Sequence, residues 1–140
     1  MANTATLQKA PKSTIAGLGP VYQIRCNLSS TGNLTVITPA GSITLPSGDV
    51  VTTGSATDAF YIVGISKGKA SSGTLTIKSG STVLDEYDLA QNIWFPVNYC
   101  DFTSTLEGIA GDALVISQSS AVATNLTLWV VLADFKGVDC

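Results

Sequence analysis

Serine, lysine and carboxylates occur in three spacings that could support catalysis. Gly64-Ile65-Ser66-Lys67-Gly68 satisfies GxSxG, the pattern that sets a nucleophilic serine on a sharp strand-to-helix turn in hydrolases. Activating that serine requires a base, and the chain contains no histidine to take its proton. No helical pattern follows the motif, so an ordinary strand-ending loop is expected. Ser66-x-x-Lys69 fits SxxK, whose chemistry needs both side chains on one helical face; here the pair falls in a Gly/Ser stretch. Asp85, Glu86 and Asp88 crowd three carboxylates together. A calcium loop needs oxygens at regular spacing around a central glycine, which this run lacks, so solvated charges at a hairpin end are expected. Cys26, Cys100 and Cys140 are odd in number and far apart, with neither disulfide-framework nor CxxC spacing. The expectation is a protein that is not an enzyme, with no catalytic residue, no metal site and no cofactor.

The aromatics offer a different chemistry. Trp94, Phe95, Tyr99, Phe102 and Trp129 are the residue types on which sugar-binding β-sandwiches stack their ligands. Trp94 and Phe95 are adjacent, so on a strand they point to opposite faces and one of them is a candidate exposed or interface ring. Trp129 lies opposite the Leu126, Leu128 and Val130 side of its own segment. A carbohydrate-binding module is therefore one functional reading, with core packing the ordinary role of any single ring.

Composition narrows the partners. Of 140 residues, 45% are hydrophobic and only 12% charged, about half the usual charged share. Interface cores are depleted of charge, so this composition leans toward a subunit of a larger assembly. The net charge is −3 and the seven basic residues are scattered, the densest group being Lys67 and Lys69. Nucleic-acid binding needs a clustered basic surface, so no nucleic acid is expected as partner, nor an anionic membrane. No apolar run reaches membrane-spanning length, and the N-terminus lacks the apolar block of a signal peptide. Three sequons, at Asn27, Asn33 and Asn125, are read as chance matches in a Ser/Thr-rich chain, and synthesis in a reducing cytoplasm is expected.

The elements that must position these residues follow a period of two. In Val21–Leu28, Tyr22, Ile24, Cys26 and Leu28 share one face while Gln23, Arg25 and Asn27 share the other. Cys26 is then a small core hydrophobe. Further strands are expected at Asn33–Thr38, Ser42–Leu45, Thr74–Lys78, Thr82–Asp85, Ile93–Val97, Ala113–Gln118 and Leu126–Leu132. Phe60–Ile65 is an apolar run suited to a strand buried on both faces, Pro46–Thr57 reads as a loop, and Ser79-Gly80-Ser81 as a hairpin turn. Pro96 suits an edge strand. Residues 1–20 show no sustained period and read as an N-terminal arm, with 21–140 as one all-β domain, a β-sandwich or jelly roll of about eight strands. The arm is either a disordered terminus or a segment that orders on a neighbouring subunit through Leu7, Lys9, Lys12 and Ile15.

Several stretches together resemble small bacteriophage virion proteins of the capsid decoration, or cement, type. They are Phe60-Tyr61-Ile62-Val63, Gly73-Thr-Leu-Thr-Ile-Lys-Ser-Gly-Ser-Thr-Val-Leu, Ile93-Trp-Phe-Pro-Val, Gly108-Ile-Ala-Gly-Asp-Ala-Leu-Val-Ile and Leu126-Thr-Leu-Trp-Val-Val. The resemblance covers about half the chain and leaves the first 58 residues unmatched. It implies a sandwich subunit on the capsid exterior, bound to the major capsid protein or other virion proteins, often as a trimer about a local symmetry axis. Trp94 and Trp129, with Leu7, Lys9, Lys12 and Ile15, are the partner-binding candidates under it. Neck, tail or baseplate placement is the alternative within the same class. Under this reading, deleting residues 2–18 is expected to leave a folded protein that no longer binds capsids.

Overall fold

The computed structural model describes residues 3–7, 14–15, 19–45, 47–95 and 106–133. Within them the chain forms thirteen strands: β1 Thr4–Leu7, β2 Thr14–Ile15, β3 Gly19–Leu28, β4 Leu34–Ile37, β5 Ser42–Thr44, β6 Val50–Thr52, β7 Ala59–Lys67, β8 Thr74–Ser79, β9 Thr82–Asp88, β10 Ile93–Phe95, β11 Leu106–Glu107, β12 Leu114–Gln118 and β13 Thr124–Ala133. All pairings are antiparallel. The larger sheet runs β1-β3-β13-β7-β10, with β2 beside β3 and β11 beside β7; the smaller runs β4-β12-β8-β9, and β5-β6 is a separate hairpin. The molecule is all-β, as the period of two requires, and its two main sheets face one another as a sandwich.

One apolar cluster joins the sheets. The larger contributes Leu7, Ile24, Cys26, Phe60, Ile62, Ile65, Leu126, Leu128 and Val130, and the smaller Ile37, Leu75, Ile77, Leu114 and Ile116. Alternate residues of β3 obey the expected division: Tyr22, Ile24, Cys26 and Leu28 are buried, whereas Arg25 and Asn27 are exposed. Strand β7 is central, between β13 and the edge strands β10 and β11. Its Tyr61 and Val63 are buried like Phe60, Ile62 and Ile65, so both faces of the run are covered, as its composition suggested. At the β8–β9 hairpin Ser79 pairs with Thr82, leaving Gly80 and Ser81 as the loop. Gly80 takes φ 58, the left-handed value a tight hairpin needs at its first central position.

Three expectations change. Thr4–Leu7 is a strand of the larger sheet, each residue paired with β3 from Asn27 to Ile24. Leu7 is fully buried in the core, so it is not a surface contact; Ala5 and Leu7 alone make too short an alternation to read as a period, and the burial comes from long-range pairing. Deleting residues 2–18 would therefore remove a piece of the sandwich along with any arm. Finally, the presumed loop from Pro46 to Thr57 contains β6, paired with β5 through Thr44↔Val50, Ile43↔Val51 and Ser42↔Thr52. Lys9, Lys12, Pro96, Val97, Tyr99, Cys100, Phe102 and Cys140 lie outside the described residues.

Both crossings that matter for the site are anchored at one end of the sandwich. The β9-to-β10 crossing is held by Lys67, only 3% exposed, whose Nζ donates to the carbonyls of Gly68 (2.7 Å), Leu89 (2.9 Å) and Gln91 (2.7 Å). The β12-to-β13 crossing is held by Gln118, which accepts from Thr124 Oγ1 at 2.7 Å and donates to the Val122 carbonyl at 2.7 Å. Buried polar groups are tolerated where every donor finds an acceptor, and no buried side-chain polar atom lacks a partner among the described residues.

Candidate functional site

The antiparallel registers align one row of outward side chains across the larger sheet. Trp94 on β10 faces Ser66 on β7, Ser66 faces Thr127 on β13, and Thr127 faces Arg25 on β3. Two residues along, Gln23, Trp129 and Gly64 form the next outward row, and Asn27 with Asn125 the one on the other side. Strand β7 thus places only a glycine and a serine between the strands that carry the tryptophans. Strands lie about 4.8 Å apart, so indole arms on β10 and β13 can meet across this low ground. They do: the ring centroids of Trp94 and Trp129 are 6.2 Å apart at 89°, an edge-to-face contact. Trp94 remains 67% exposed while Trp129 is half-buried. Such pairs contribute about 0.5–1.5 kcal/mol beyond burial, enough to fix the exposed ring's orientation.

Beside the pair lies an open depression of about 160 Å³ lined by Arg25, Ser66, Gly68, Asn125, Leu126 and Thr127. Its floor is sheet whose backbone groups are consumed by the ladders of β13 with β3 and β7. Recognition there falls to side chains: two hydroxyls, an amide and a guanidinium. Lys67 supports the rim from below, since its ammonium fixes Gly68 and the connection leading into β10.

The motifs that suggested catalysis take other roles. GxSxG lies in and just beyond the end of β7, with Ser66 outward and Lys67 on the inward, core side. Alternation therefore separates the serine from the nearest amine. Burial holds the Lys67 ammonium below the usual lysine range, partly offset by the charge of Asp88. Lys69 is exposed and no helix joins it to Ser66. In the acidic run, Asp85 accepts the Glu86 amide within β9, and Asp88 accepts the Ala90 amide at the strand end. Tyr87 is held above the usual tyrosine range by burial, then by the charge and hydrogen bond of Asp85. Among the described residues no three His, Cys, Asp or Glu side chains come together as metal ligands.

Of the residues singled out from sequence, Trp94 and Trp129 are brought together, Leu7 is in the core, and Ile15 is placed only as the strand partner of Gly19. Arg25, Asn125 and Thr127 were not singled out as a binding site, and Ser66 was weighed only as a nucleophile. The period of two put Arg25 on the polar side of β3, and the same rule applied to β13 put Thr127 beside Trp129; their juxtaposition needed the strand order. Compared with known protein families, curated proteins and solved structures, the chain matches none.

Proposed function

We propose that this chain is a non-enzymatic structural protein of a bacteriophage particle, a head decoration protein that binds the assembled capsid lattice and stabilises it. The observation that carries the reading is the outer face of the smaller sheet. There Thr35, Val115, Lys78 and Val83 lie in one register and Ser117, Thr76 and Glu86 in the next, with alternate residues turned into the core. Thr35, Val115, Ser117 and Thr76 are short and neutral; Lys78 stands among them on β8, between Val115 and Val83, with its ammonium donating to Asn33 Oδ1 at 2.9 Å, and Glu86 lies on the edge strand β9. Val83 is 51% exposed. A surface of this kind loses little desolvation energy when covered by another protein. Because a decoration subunit binds the lattice and not its free components, its binding energy shifts the assembly equilibrium toward the shell by mass action.

The test is mass-spectrometric detection of the chain in purified particles, with its copy number set against the major capsid protein. Hundreds of copies are expected; a dozen or fewer would assign it instead to neck, tail or baseplate, and absence would overturn the reading. Co-sedimentation with particles stripped of the protein locates the contact. Ser117→Arg, which sets a second long cation on this face one row from Lys78, is expected to abolish capsid binding without unfolding the sandwich.

A further inference from the structure

We infer that the outer face of the larger sheet, from Trp94 to Arg25, is a binding site for an acidic oligosaccharide, a short chain of sugar rings one of which bears a carboxylate. This face lies on the far side of the sandwich from the neutral face of the smaller sheet, so the two sites are independent and fail independently.

Four observations converge. First, Trp94 is the most exposed large apolar residue of the described chain at 67%, and its ring is braced edge-to-face by Trp129 at 6.2 Å. An exposed indole held in one orientation offers a flat apolar surface to the C–H face of a pyranose. Second, the groups beside it are hydroxyl, amide and guanidinium: Ser66 and Thr127 in the same row, Arg25 beyond them, and Asn125 next to Arg25 and Thr127 around the depression. These groups match the equatorial hydroxyls of a sugar, each of which both donates and accepts. Third, the depression of about 160 Å³ is smaller than the roughly 300–1,000 Å³ of a pocket for a drug-sized ligand, which suits one ring at a time along an open chain. Fourth, Arg25 is the charged member of an otherwise neutral patch, on a chain whose net charge is −3. The guanidinium is exposed and has no ion-pair partner among the described residues. Its planar fork suits a carboxylate, which it binds through two parallel hydrogen bonds.

A peptide is the less suitable occupant. Extended peptides dock by adding a strand to a sheet edge, whereas the ground between Arg25 and Trp94 is the interior of a sheet whose backbone is already paired.

The experiment applies the whole protein to immobilised oligosaccharides terminated by uronic or sialic acids, with neutral gluco-oligosaccharides and a glutamate-rich peptide beside them. The tightest acidic sugar is then titrated against intrinsic tryptophan fluorescence. Saturable binding to acidic sugars is expected, with a change in tryptophan emission. Trp94→Ala is expected to weaken it about tenfold, the loss of one stacked ring. Arg25→Gln is expected to remove the preference for acidic over neutral sugars while leaving a weak neutral affinity. Both positions are exposed, so both variants should fold, which circular dichroism checks. A blank across all acidic sugars, undiminished binding by both variants, or tighter binding of the acidic peptide would each overturn the assignment.

Discussion

Lys67 and Cys26 share one row of the larger sheet's interior, on either side of Leu126, and respond to pH in opposite senses. Burial pushes the Cys26 thiol from 9.0 up to about 12. Between those values the unfolded chain loses the proton and the folded chain keeps it, so Cys26 contributes stability that is complete below pH 9.0 and lost as pH rises, by about 1.4 kcal/mol per unit. Tyr22 and Tyr87, both raised from 10.0 by burial, add to the loss at higher pH. Lys67 runs the other way: its lowered affinity for the proton means that its own contribution improves as pH approaches the ordinary lysine value of 10.5. Cys26→Ala separates the terms. At neutral pH the variant should be less stable by about 1 kcal/mol, the loss of a small buried group. In urea titrations near about pH 10.5 the difference should vanish or reverse, because the variant has no thiol to ionise. A constant gap across pH would contradict the burial argument. Lys67→Met removes the donor from the Gly68, Leu89 and Gln91 carbonyls and should cost about 1–3 kcal/mol, the penalty of orphaned buried acceptors. Hydrogen exchange should accelerate in the connection from β9 to β10. From sequence, Lys67 was one half of the densest basic pair; that its ammonium is spent on carbonyls follows only from the crossing folded over it.

Among the elements, those whose own residues carry the periodic signal were legible and those fixed by distant partners were not. Strand β3 declares its inner face through Tyr22, Ile24, Cys26 and Leu28, and β7 declares double burial through an unbroken apolar run. The β8–β9 turn is announced by Gly80. Strands β1 and β6 carry too few apolar residues to be read alone, and each exists because a neighbour supplies its hydrogen bonds. Leu7→Ala tests this for β1. A fully buried leucine of the core should cost about 2–5 kcal/mol, whereas a residue of a free arm would cost almost nothing. Chemical denaturation of the two proteins decides between these outcomes. Gly108 provides a second test at the turn into β12. Its amide donates to the Phe60 carbonyl at 2.8 Å, and a Cβ at this position would run into the Phe60 ring. Phe60 is fully buried and has nowhere to retreat, so Gly108→Ala should destabilise by about 1–3 kcal/mol through overpacking. A neutral result would mean that the turn shifts freely away from β7.

At the scale of the molecule, the strand order β1-β3-β13-β7-β10 decides what the surface offers, and no local pattern encodes it. Placing the last strand between β3 and β7 sets Trp129 across Gly64 from Trp94 and Thr127 between Ser66 and Arg25. The ingredients of the candidate site were readable as exposed polar residues and ambiguous aromatics; their assembly depended on four strands, β3, β7, β10 and β13, spread along the sequence. The same interleaving makes the two sheets interdependent. Leu89, in the connection between them, is fully buried in the shared cluster, and the residues facing it from both sheets lose their cover together if either sheet opens. Unfolding should therefore be one cooperative event. Tryptophan fluorescence reports the larger sheet alone, since both tryptophans lie on β10 and β13, whereas far-ultraviolet circular dichroism reports the strands of both. In a urea titration the two transitions should coincide in midpoint and slope. If fluorescence changed first, the larger sheet would be opening against a surviving smaller one, and the single core described by Leu7, Ile65, Ile77 and Ile116 would have to be divided in two.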